Sequence, residues 1–207
     1  MNILTDKFPT KTIIDGKEYN LNTDFRNCLK IILAFEDEGL FESEKIEVML
    51  TNLYGEDIPT NVEKAVEKAL LFLDCGETQE ENKVGTRIGN NRLYSFSKDA
   101  KYIYSAIKQT HKIDLETIDY LHWWKFTYLF LDLNPECFFC KILDLRNKRK
   151  KGKLDKEEKK LYMQLYDILE LDNKPKFSEE EQKEIDEFMA LLNSSNDLKA
   201  GTEKEVK

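Results

Sequence analysis

Apolar residues recur along the chain at two different spacings. Over about residues 12–21 they read as strand, turn and strand: Thr12-Ile13-Ile14, then Asp15-Gly16, then Lys17-Glu18-Tyr19-Asn20-Leu21. Asp-Gly supplies the two positive-φ positions of a type I′ turn. A two-stranded hairpin is marginal in water, so it is expected to lie on helices or to pair with another chain's edge. From Phe25 onward the spacing becomes three and four. Phe25, Cys28, Leu29 and Ile32 predict a helix stopping near Gly39, and Ile46, Met49, Leu50 and Leu53 predict another ending at Gly55. Thr60-Asn-Val-Glu63 reads as a capping box opening a third, lined by Val62, Ala65, Val66, Ala69, Leu70 and Leu73 and ended by Gly76.

A polar break runs from Glu77 to Arg92. Its Gly85-Thr-Arg-Ile-Gly89 lacks the Gly-Lys-Ser/Thr ending and the preceding apolar strand of a phosphate loop, and reads as a connection. Ser97 is expected to cap a helix carrying Ala100, Ile103, Tyr104 and Ile107. Asp114 is expected to start another, reaching about Leu131. That helix carries two apolar stripes: Leu115, Ile118, Leu121, Trp124, Tyr128 and Leu131 on one, Trp123, Phe126 and Phe130 on the second. A helix apolar nearly all round is buried on several sides, or it offers one stripe to a partner. Trp123, Phe126 and Phe130 are therefore candidates for a protein-binding or self-association surface, with the core as the competing place for them. Asn134-Pro-Glu136 predicts a helix from about Pro135 to Arg146. Asp155-Lys-Glu-Glu158 is a second capping box, followed by Leu161, Leu165, Ile168 and Leu169.

These elements predict a mainly α protein, α+β at most: a compact multi-helix domain over residues 1–172 with a small N-terminal hairpin. Residues 173–207 read as an acidic extension, with a short helix at about 179–192 bearing Ile185, Phe188, Met189 and Leu192. Residues 193–207 have little to bury and are expected to be mobile.

Composition narrows the function classes. The 207 residues hold 32 Lys+Arg against 40 Asp+Glu, a formal charge of −8, with 12 Phe. The apolar content is too high for a wholly disordered chain, and no stretch approaches the ~20 uncharged apolar residues of a membrane span. The N-terminus shows no basic and then apolar signal pattern, so neither export nor a membrane partner is expected. An acidic total argues against a dedicated nucleic-acid binder. One segment reverses the sign: Arg146, Lys148, Arg149, Lys150, Lys151 and Lys153 fall within eight positions. This run suits a solvated connection at a helix C-terminus, or an electrostatic contact with an acidic partner or nucleic acid. The acids that follow it weaken the nucleic-acid alternative.

Candidate chemistry is sparse. Cys137-Phe-Phe-Cys140 has neither the extra ligands of a zinc site nor a βαβ context, and reads as core. His111 and His122 are eleven apart, and His122 is expected at the core edge as a polar group. The acids Glu36, Asp37, Glu38, Glu42, Glu44 and Glu47 have no His or Cys at short spacing. No enzyme, metal or cofactor is expected from these patterns.

Three stretches are more specific. One runs from Asp15-Gly-Lys-Glu-Tyr to Ala34-Phe-Glu-Asp37, and another spans Ala65 to Gly76. The third spans Tyr94-Ser-Phe-Ser-Lys-Asp-Ala through Ile113-Asp-Leu to Tyr120-Leu-His-Trp-Trp-Lys-Phe126. Together they resemble the "gene product 15" family of bacteriophages and prophages of Gram-positive hosts, over roughly residues 1–171. The cysteine pair departs from the pattern expected after the Trp-Trp helix. The resemblance implies a gene in the tail module near the tape-measure gene, and a tail-assembly chaperone that coats the tape-measure protein before the tube polymerises. It implies the tape-measure protein and other tail-assembly proteins as partners, the tape measure being the client that the Trp123, Phe126 and Phe130 stripe would meet. It also implies the host cytoplasm as the place of action, absence from the mature particle and no catalytic residues. Two alternatives stand beside it: a structural tail component retained in the particle, and a nucleic-acid-binding or host-directed regulator using the basic run.

Overall fold

In the computed structural model the described residues are 2–77 and 93–171. The expected extension over 173–207 and most of the polar break, Gly85–Gly89 included, lie outside them. Among the described residues the protein is mainly α, with eight helices and one two-stranded hairpin. Contacts divide the chain into two units, Met1–Asn147 and Lys148–Lys207.

The first unit opens with β1 (Lys11–Ile14) and β2 (Lys17–Asn20), antiparallel, with Ile14 opposite Lys17 and Thr12 opposite Tyr19. Asp15 at φ 49° and Gly16 at φ 81° make the turn the dipeptide predicts. Ile14 and Tyr19 face the core, while Ile13 on the other face is 65% exposed. The hairpin tip is tied down by Asp15 to Asn61 and Lys64, and by Lys17 to Asp57.

Helix α1 (Phe25–Glu36) is capped by Asp24, whose carboxylate accepts from the Arg26 amide. It packs on α2 (Glu42–Tyr54) and on α5 (Trp123–Leu131), and α2 packs on α3 (Val62–Leu73). The cap of α3 is Asn61, accepting from Lys64 N–H at 3.2 Å, so the expected Thr60–Glu63 box gives way to a single Asx cap. At the other end Cys75 takes φ 60° with its N–H on the Phe72 carbonyl, and Gly76 N–H reaches the Leu71 carbonyl. This is a Schellman closure with cysteine at the left-handed position.

Three predicted helix starts are corrected, those near Ser97, Asp114 and Pro135. Helix α4 is Ala100–His111, with Asp99 at its N-cap rather than Ser97. The serine that caps the preceding turn is Ser95, whose Oγ accepts from the amides of Ser97 and Lys98. The helix expected from Asp114 begins only at Trp123. Long-range partners claim its first two turns. The Leu115 and Ile118 carbonyls accept from Arg26 Nη2 at 2.9 and 2.6 Å. Leu121 O takes the Phe25 amide and Thr23 O takes the Trp123 amide, forming an isolated bridge between Asp24 and His122. These bonds tie the segment to α1 and to the chain before it, and regular helix begins only where they end, at Trp123.

Helix α6 is Phe138–Lys150, so it starts three residues after Pro135 and runs four past Arg146. The basic run is thus mostly the last turn of a helix. Gly152, at φ 64°, sends its N–H to Arg149 O, and Lys153 N–H reaches Lys148 O, closing a second Schellman motif. Cations suit that negative helix end.

In the second unit α7 (Lys156–Gln164) begins with the predicted box: Asp155 accepts from Glu158 N–H, and the Glu158 carboxylate accepts from Asp155 N–H. The helix breaks at Leu165 before α8 (Tyr166–Leu169). Tyr162 is its buried face and its hydroxyl donates to Glu170 at 2.7 Å, whereas Leu161 is exposed.

Candidate functional site

The aromatic segment is the natural place to look for a surface. Trp123 and Phe126 are 1% exposed and Phe130 is 9% exposed, so the second stripe is core. Phe25 on α1 stacks on Phe126 at 5.0 Å, Trp123 stacks on the same ring at 5.6 Å, and Tyr94 meets Phe130 edge-on at 5.0 Å. The second stripe of α5 is therefore covered within the first unit, and on the first Trp124 is buried while Leu131 at the helix end is exposed. The three residues do not form a client surface in this structure, because α1 and the segment entering α4 occupy that side.

The tryptophans also have a polar task. Trp123 Nε1 donates to Leu73 O at 2.9 Å and Trp124 Nε1 to Phe72 O at 2.8 Å. Those carbonyls belong to the last turn of α3, whose acceptors have no intrahelical amide. Sequence reasoning missed this pairing; the close spacing of Trp123 and Trp124 was its only signal. Gly76 lies against the same joint, since a Cβ there would come 3.1 Å from Trp124 Cη2.

His122 sits between these parts and is 7% exposed. Its Nδ1 accepts the Trp124 amide at 3.1 Å, so it is the N-cap of α5. Nε2 then carries the proton and donates to Pro9 O at 3.0 Å. Burial holds its pKa below the ordinary value of 6.5, against the opposing hydrogen bond to Pro9. The imidazole has both nitrogens committed to backbone.

The basic run separates into parts. Arg146 is withdrawn from it: the guanidinium forks onto buried Asp99 at 2.6 and 2.9 Å and also reaches Leu93 O at 3.0 Å. Asp99 in turn accepts the Ser95 amide at 3.0 Å. Lys148 pairs with Glu158 at 2.6 Å, and Arg149 lies over the Tyr162 ring. Lys150, Lys151 and Lys153 complete the run, exposed at the end of α6. An electrostatic contact including Arg146 is thereby corrected, because its charge is spent on Asp99.

The acidic run separates too. Glu36 turns inward, accepting from Ser95 Oγ at 2.8 Å, Phe96 N–H at 3.0 Å and Ser97 N–H at 3.2 Å. Glu44 accepts the Phe41 amide at 2.7 Å, and Asp37 accepts the Gly39 amide at 2.8 Å. Elsewhere Asp114 takes Lys108 and Tyr104, both at 2.7 Å, and Lys108, Tyr104 and the Glu116 amide hold its pKa down at about 2. Each of these groups closes a turn or joins two elements.

Among the described residues no group of three or more His, Cys, Asp or Glu is placed to hold a metal ion, and no helix is long and apolar enough to cross a membrane. Cys137 is buried in the turn before α6 and Cys140 is half-buried on its first turn.

No curated protein and no solved structure matches the chain. A family model does: the one described as Bacteriophage Gp15 protein matches residues 4–171, which takes in the hairpin, the Trp-Trp joint and helices α1 to α8. The chain belongs to the Bacteriophage Gp15 protein family.

Proposed function

We propose that the protein is a non-enzymatic tail-morphogenesis factor of a phage or prophage, a chaperone acting on the tape-measure protein in the host cytoplasm. The observation that carries this reading is the family match over residues 4–171, joined to what that family's resemblance implies. The assignment of polar groups supports it. Glu36, Asp99, Arg146, His122 and Asp114, which could otherwise suggest chemistry, are each committed to holding backbone or a neighbouring element. With Trp123, Phe126 and Phe130 buried, client contact falls to exposed apolar side chains, of which Phe41 is 77% exposed and Leu131 57% exposed. An amphipathic client helix docks on such side chains. Co-expression with the neighbouring tape-measure protein tests the reading. A soluble complex that co-purifies is expected; a tape-measure protein equally soluble and unbound without this chain ends it.

The hairpin favours a second reading, a structural component retained in the particle. By the alternation of the ladder, the N–H and C=O groups of Lys11 and Ile13 point away from β2, and no backbone hydrogen bond among the described residues takes them up. Such an edge can add a strand from another subunit. Mass spectrometry of purified particles separates the two, since fixed copy number is the result for a component and absence the result for a chaperone.

A further inference from the structure

We propose that Cys137 and Cys140 are a redox-modifiable dithiol that closes to an intramolecular disulfide by exchange with a small-molecule disulfide. The spacing alone reads as core, and the local geometry adds to it. Cys137 occupies the N-cap position of α6: its carbonyl accepts the Lys141 amide at 3.2 Å, and its Sγ accepts the Cys140 amide at 3.4 Å. A sulfur bonded to the amide of the second cysteine lies over the turn from which that cysteine's own side chain projects. Both thiols are free, and the loop to be closed is the four residues Cys137-Phe-Phe-Cys140. Closure therefore asks for side-chain rotation rather than the backbone movement that bars most cysteine pairs.

The other two cysteines make the contrast. Cys28 is fully buried on α1 and Cys75 is 6% exposed in the closure of α3. Burial raises the Cys28 thiol far above its usual range. A reagent in solution reaches neither without opening the core. Cys140 is half-buried and so is the point of entry. Burial and the Cys137 contact raise its thiol to about 11, which keeps the thiolate scarce at neutral pH and the exchange slow.

The reaction balances in two steps. The Cys140 thiolate attacks one sulfur of the small disulfide, forming a mixed disulfide and expelling one thiolate. Cys137, deprotonated by solvent, attacks the Cys140 sulfur, forming the Cys137–Cys140 bond and expelling the second thiolate. Two protein thiols are oxidised and one disulfide is reduced to two thiols.

Oxidised glutathione is the probe. The native full-length chain is equilibrated with an excess of it, quenched in acid, unfolded, alkylated and mapped by mass spectrometry. The expected result is alkylation of Cys28 and Cys75 with a disulfide joining Cys137 to Cys140. The Cys137→Ser variant, which lacks the resolving thiol, is expected to stop at a glutathione adduct on Cys140. Alkylation of all four cysteines in the wild-type chain overturns the proposal. So does a disulfide that draws in Cys28 or Cys75. The wild-type measurement decides even where the variant folds poorly.

Discussion

Arg146 and Asp99 are each buried, and each neutralises the other inside the first unit. Such a pair is weak evidence for net stability, because both ions lose their hydration. Removing one partner is a different matter, since it leaves a buried charge without its counter-ion; Asp99 would keep only the Ser95 amide and what else its backbone surroundings offer. Arg146→Leu is expected to cost about 3–5 kcal/mol in urea-induced unfolding. The double variant with Asp99→Leu is expected to recover part of that loss, because no orphan charge remains. A single variant as stable as the wild type would mean that water or another cation reaches Asp99. In the sequence Arg146 looked like the first member of a basic run. Nothing local distinguished it from Lys148, because its partner lies 47 residues away.

Elements with local signals were the legible ones. The Asp-Gly turn, the Asp155 box and the first three helices depend on residues a few positions apart, so spacing found them. The segment before Trp123 was misread because its competition is remote. Arg26 reaches the Leu115 and Ile118 carbonyls across 89 and 92 residues, and a periodic apolar pattern carries no record of that. The junction it creates has a pH consequence. His122 caps α5 with an unprotonated Nδ1, and its folded pKa lies below the unfolded 6.5. The unfolded chain therefore binds the proton more readily. Stability from this group is complete above about 6.5 and is lost as pH falls through the lower folded value. The groups around it are Asp24, paired with Arg26, and the rings of Phe8, Phe72 and Trp124. His122→Asn can still cap the helix but does not titrate. Its midpoint temperature is expected to fall less than that of the wild type between about pH 7 and pH 5. Equal falls would place the acid sensitivity among carboxylates instead.

At the scale of the molecule, aromatic density marked the interior rather than the contact surface. Periodicity showed that α5 carries two apolar stripes, but not what covers the second; Phe25 and Tyr94 do, from distant parts of the chain. The chaperone reading then divides substitutions into two classes. Trp123→Ser and Phe130→Ser are expected to unfold the first unit, each by about 3–5 kcal/mol, because they empty a packed core. Phe41→Ala is expected to leave the unfolding free energy within about 0.5 kcal/mol of the wild type and to reduce recovery of the tape-measure protein on co-expression. Unchanged recovery with Phe41→Ala would remove that side chain from the contact.

The joint between the Trp pair and the end of α3 has a practical consequence for such work. Both of the protein's tryptophans are there, with their indole N–H groups bonded to backbone and their rings shielded from water. Intrinsic emission excited at the indole band therefore comes from a single location. It is expected to be blue-shifted in the folded chain and to move to the red when α3 and α5 separate. A client bound on the outer surface would leave that spectrum nearly unchanged. A spectral shift on adding a partner would then signal that the joint itself has opened.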